Sequence, residues 1–221
     1  RASFSRYLRQ WFEGYYRGQV LTDSTNPADA VLDWYWNYRK PGEDLIPCAW
    51  SKLFSVEQEK RLVQQRQNKG PKTNNEALNL IMQGEQPLEL GQDSDQGGIT
   101  KVTNIFNVRV LGWAMTGLCQ LTVGRMHHNR LMNAHTRRLE KDTGLRTLSY
   151  SELKACDWLI QEQICSMVAE GNCNFQQAVV EVTEGRYGEM TNSLQMRNAS
   201  SQATQGKRKN QDQDSSGAKF K

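Results

Sequence analysis

The chain has 221 residues, of which 37% are hydrophobic and 24% charged, and its formal net charge is +4. This balance lies in the globular range, is enough for one good core or two small ones, and excludes a chain that is disordered throughout. So mild a positive charge permits an anionic partner without demanding one.

Cys48, Cys119, Cys156, Cys165 and Cys173 are an odd set in a chain too long to depend on disulfide staples, which points to a reducing compartment. No run reaches the length of about 18 apolar residues that a membrane span needs. The opening RASFSRYLRQWF lacks the charged-then-apolar layout of a secretory leader. The chain therefore reads as cytoplasmic or nuclear, with no membrane partner. Arg1 in place of methionine leads to the expectation of a processed product or a piece of something longer.

In chain order, Phe4, Leu8, Trp11, Phe12 and Tyr15 recur at helical spacing and stop at Gly18, predicting a short amphipathic helix. Asn26 and Pro27 predict the cap and first position of a second helix, with Val31, Trp34, Tyr35 and Tyr38 on its inner face and a stop at Lys40-Pro41-Gly42. Ser55 with Gln58, and Thr73 with Glu76, have capping-box spacing and predict two more short helices. GEQPLELGQDSDQGG has no periodicity and reads as an exposed linker.

All five prolines lie before residue 88, so nothing beyond forbids helix. Val102, Ile105, Phe106, Leu111, Trp113, Met115 and Leu118 are apolar nearly all round, as in a central buried helix, although their β-branched neighbours leave a strand open. Residues 125–142 predict a polar, charged helix ending at Gly144. Ser149 with Glu152 forms the cleanest capping box, opening a helix with Leu153, Cys156, Ile160, Ile164 and Met167 inward and an end at Gly171. Asn174 caps a last helix bearing Phe175, Val179, Val182, Met190 and Leu194. The expected class is all-α: a helical bundle in the C-terminal part, shorter helices and loops in the N-terminal part, and a disordered basic tail. The expected organisation is an aromatic-rich helical region over 1–83, a linker over 84–100, the bundle over 101–197 and the tail over 198–221.

Arg125, His127, His128, Arg130, His135, Arg137 and Arg138 crowd into fourteen residues. They form either a phosphate-binding face or a solvated surface beside Glu140, Asp142 and Glu152. Lys207-Arg208-Lys209 adds a basic triplet in the tail. The expected nucleic-acid-binding residues are Arg125, Arg130, Arg137, Arg138, Lys207, Arg208 and Lys209. Trp11, Phe12, Tyr15, Tyr16, Trp34, Tyr35, Trp36, Tyr38 and Trp50 are either core or a base-stacking or partner groove. No Cys/His spacing suits a metal and no glycine-rich cradle suits a nucleotide, so no cofactor is expected. Cys119 and His127, eight residues apart, leave a nucleophile and base pairing as the enzymatic alternative.

The W-x-M-x-G-x-C run at Trp113, Met115, Gly117 and Cys119 precedes LSYSELKACDWLIQ, NFQQAVVEV and a KRK-bearing polar tail. Over residues 100–221 this order of parts resembles the gag-like, capsid-type region of protist retroelement polyproteins, before their zinc finger. The resemblance implies self-assembly and packaging of RNA, and it transfers no individual functional residue. The expectation is a non-enzymatic, self-associating helical protein with electrostatic RNA association. The alternative is a helical adaptor for a protein partner, with no nucleic-acid role.

Overall fold

The computed structural model describes residues 2–40, 45–68, 99–136, 148–171 and 173–186. Among these the chain is all-α: α1 Ala2–Tyr15, α2 Asp29–Asn37, α3 Val56–Asn68, α4 Ile99–Met115, α5 Leu121–Thr136, α6 Tyr150–Ala169 and α7 Phe175–Glu181. A 3-10 turn, Trp50–Lys52, precedes α3, and a π-helical turn, Val182–Arg186, continues α7. The Thr73/Glu76 cap, the linker as far as residue 98, the Gly144 stop, Met190, Leu194 and the tail lie outside the described residues.

The segment left open between helix and strand is α4, and its all-round apolarity has a direct cause. One side of it packs Val110, Leu111, Ala114 and Met115 against Leu8 and Phe12 of α1 and Leu32 of α2. The other side sends Val102, Ile105, Phe106 and Trp113 into a larger core with Leu131 of α5, Leu153, Cys156, Ile160 and Ile164 of α6, and Phe175 and Val179 of α7. A strand alternates between two faces, whereas covering on every side suits a helix at the centre of a bundle. Two glycines set how close its neighbours come. A Cβ on Gly112 would lie 2.9 Å from the Tyr35 ring, and one on Gly124 would lie 2.9 Å from Val110 Cγ1. At these two points α2 and α5 approach α4 more closely than any side chain would allow.

The N-terminal part shares this core instead of forming one of its own. Ala28, Val31, Tyr35, Trp50, Leu53 and Phe54 are buried in the same cluster as the α4, α6 and α7 residues. Ile99 and Thr100, read from sequence as the end of the linker, are the first turn of α4.

Two of the capping boxes read from spacing are present. Ser55 N donates to Gln58 Oε1 at 2.8 Å while Gln58 N donates to Ser55 Oγ at 3.3 Å. Ser149 with Glu152 closes the same reciprocal pair at α6, and Asn174, expected as a cap, closes another with Gln177 at α7. Each satisfies backbone donors that a helix start leaves free. The Asn26-Pro27 start is corrected: α2 begins at Asp29, with Ala28 at the cap position and no side-chain cap bond. Asn26 Oδ1 instead accepts from Arg9 Nε at 3.0 Å, its carbonyl accepts from Val56 N, and Pro27 pairs with Ser55 in an isolated antiparallel bridge. The asparagine is thus engaged in tying α1 to the entry of α3. The charged helix is corrected at its start as well, since α5 opens at Leu121, four residues before the Arg125 expected from composition.

Candidate nucleic-acid interface

On α5 the inner positions are Leu121, Gly124, His127, His128 and Leu131, all buried, and the exposed positions are Thr122, Arg125, Met126, Asn129, Arg130 and Asn133. At 100° per residue the exposed set covers one continuous sector of about 140°. The sequence of α5 contains no Asp or Glu, so no carboxylate on this helix offsets its two exposed arginines. Arg125 donates to Gln19 Oε1, which ties the start of this face to the segment after α1. Arg137, Arg138, Lys207, Arg208 and Lys209 lie outside the described residues.

The two histidines do not belong to the cationic face on which sequence density placed them. His127 is 1% exposed and His128 8%. Burial lowers the pKa of His127 to about 4, with the Asp157 charge opposing and Arg109 and His128 reinforcing the shift. Burial does the same to His128, also to about 4, helped by Arg109 and Arg125. Both are neutral at physiological pH. Thr183 commits its only proton to Val179 O at 2.5 Å, so its oxygen accepts from His127 Nδ1 at 3.1 Å. His127 is therefore the Nδ1–H tautomer, and its Nε2 lone pair faces Gln161 Nε2 at 3.5 Å. The ring of His128 packs edge-on to Phe106, with centroids 5.0 Å apart. These side chains fasten the inner face of α5 to α4, α6 and the π-helical turn.

Beneath them lies an ion pair that sequence reading missed. Arg109 of α4 donates through Nη1 and Nη2 to the two carboxylate oxygens of Asp157 on α6, at 2.6 and 2.7 Å, with both side chains at most 2% exposed. Trp50 Nε1 donates to the same carboxylate at 2.5 Å. A bidentate guanidinium and carboxylate pair fixes direction as well as distance, so this one sets α4 against α6 and holds the 3-10 turn on both. Its signal in the sequence was a lone arginine in the run VRVLGWAM and a lone aspartate on the inner side of the LSYSELKACDWLIQ helix.

Both members of the nucleophile and base pairing, Cys119 and His127, are buried. Burial pushes the Cys119 thiol up to about 12, away from the thiolate that attacks. His127 is neutral with both ring nitrogens facing protein partners. Among the described residues no group of three or more His, Cys, Asp and Glu side chains could hold a metal ion. Among them too, no helix is long and apolar enough to cross a membrane. Comparison with protein-family models, with curated proteins and with solved structures gives no match.

Proposed function

We propose that this chain is a non-enzymatic, self-associating helical protein that holds RNA electrostatically, with a gag-like order of parts. The observation that carries the reading is the outer face of α5, where Arg125, Asn129, Arg130 and Asn133 share one exposed sector on a helix without an acid. Guanidinium groups grip phosphate oxygens and amides donate to them, while a rigid helix fixed from below presents both along a line. Such contacts position a polyanion and read no sequence. Arg137, Arg138 and Lys207-Arg208-Lys209 extend the same charge along the chain. Changing Arg125 and Arg130 together to Glu tests the reading. RNA affinity should fall and helical content should stay; unchanged affinity would overturn it.

A second reading, the adaptor, is favoured by a groove of ≈ 300 Å³ between the Cys48–Trp50 segment and α6. Trp158 lines it and stands 38% exposed. Large apolar side chains beside a groove are what a partner's side chains fill.

A further inference from the structure

The outer face of α1 carries chemistry that the α5 reading leaves unused. Tyr7, Trp11 and Tyr15 are exposed at 61%, 41% and 65%. Their four-residue spacing sets them in a stripe that advances about 6 Å per ring along the helix. Trp11 and Tyr15 already stack, with centroids 5.3 Å apart and planes 14° from parallel. Arg6 and Gln10 form a second exposed stripe about 100° around the same helix, and Arg17 is exposed in the turn that follows it. Gly14 lies between the two, and a Cβ there would meet no atom within 4 Å.

Alongside the aromatic stripe runs a groove of ≈ 270 Å³ against α2 and the turn after α4, with Leu8 and Met115 in its lining and Trp36 and Arg39 from α2 and its end. The guanidinium of Arg39 lies over the Trp36 ring, 5.0 Å from its centroid, and donates to Thr116 O at 2.9 Å. At its C-terminal end α1 meets α5, because Leu121 N donates to the Tyr16 hydroxyl at 3.3 Å and Arg125 donates to Gln19. The turn that follows α1 thus meets the start of α5.

We propose that this face is a base-stacking platform for single-stranded nucleic acid. Tyr7, Trp11 and Tyr15 take unpaired bases on their ring faces, and Arg6, Arg17 and Arg39 hold the phosphates beside them. The proposal rests on the nucleic-acid reading above and narrows it to strands whose bases are free. Charge favours this occupant: Arg6 and Arg39 are exposed beside the stripe, Arg17 is exposed in the turn that follows it, and Glu13 is the one acid on the exposed face of α1. Among the described residues, the exposed positions of α1 include no aliphatic side chain, whereas a helix lying in a membrane surface inserts aliphatic residues as well as rings. Every base offers a π face, so stacking adds affinity without demanding sequence, while a duplex keeps those faces in its own stack.

The test uses the full chain, a short labelled single-stranded RNA and the same RNA as a duplex, each titrated at several salt concentrations. Trp11→Ala with Tyr15→Ala should weaken single-strand binding at least about 5-fold for each base deprived of its ring. The same variant should leave duplex binding and the salt slope unchanged, since no charge is removed. Trp11→Phe with Tyr15→Phe should keep wild-type affinity, and circular dichroism should show equal helix in all three proteins. Wild-type affinity in the alanine variant, together with lost binding in Arg125→Glu with Arg130→Glu, would overturn the platform and leave the α5 reading standing. An absence of RNA binding by the wild-type chain would overturn both. A smaller mass by light scattering in the alanine variant, with RNA affinity unchanged, would overturn it in favour of a second copy of the chain on this face.

Discussion

Removing one partner of the Arg109–Asp157 pair should be among the most damaging single changes this fold can suffer. Both side chains are at most 2% exposed, and the pair is bidentate with Trp50 as a third member. Asp157→Leu leaves a guanidinium in the core with no counter-charge, and Arg109→Met leaves a carboxylate with only an indole N–H. Stranding a buried charge costs about 3–5 kcal/mol, a fifth or more of the roughly 5–15 kcal/mol that holds a typical domain together. Changing both residues removes both charges at once, so the remaining loss is mainly the Trp50 hydrogen bond, about 1–3 kcal/mol. The double variant should therefore be more stable than either single one, with a coupling of at least about 3 kcal/mol. Urea unfolding followed by tryptophan fluorescence measures this, with the slope against denaturant held constant as the check on two-state behaviour. Single variants that each cost under about 1 kcal/mol, or costs that simply add, would refute the argument that the pair is dry and aligns α4 on α6.

Three other outcomes follow from the same geometry. His127 titrates near 4 in the folded chain and near 6.5 when unfolded, so the unfolded state binds more protons between those values; stability is complete above pH 6.5 and falls toward pH 4, by about 2 kcal/mol from this residue at pH 5. Unfolding at a series of pH values checks this, and a flat profile from 6.5 to 4.5 would contradict the neutral, buried ring. Burial raises the thiols of Cys48, Cys119 and Cys156 to about 12 and Cys165 to about 11, whereas Cys173 is half-buried, so a thiol reagent at mild alkaline pH should modify one cysteine per native chain and five after denaturation. Ser149→Ala should cost about 1 kcal/mol by opening the α6 capping box, and a change within error would mean that Glu152 alone holds that helix start.

Helices and caps were legible because they are local. The Ser149 and Glu152 spacing, or the 3.6-residue recurrence along α1, needs no knowledge of what packs where. Long-range pairing was the part that could not be read. Asn26 looked like a cap until Arg9, seventeen residues earlier, claimed its side chain. His127 and His128 were grouped with their arginine neighbours by density along the chain. Their positions on either side of Leu131 on the helical wheel assign them instead to the inner face. The aromatic set divided in a way that composition alone does not predict: Phe12, Tyr35 and Trp50 entered the core, and Trp11 and Tyr15 stayed outside. Arg109 and Asp157 were visible only as isolated charges in apolar surroundings, and their partnership belongs to tertiary structure.

The central claim, that the chain binds RNA through arginines and not through base-edge recognition, is tested most directly by the salt dependence of RNA affinity. Each phosphate neutralised on a single strand contributes about −0.7 to the slope of log affinity against log salt, so three to five contacts give roughly −2 to −3.5. With Arg125 and Arg130 both changed to Glu the slope should become shallower by about 1.4 or more, equally for unrelated RNA sequences. A slope near zero in the wild-type chain, or the same slope and affinity in the double variant, would contradict the account.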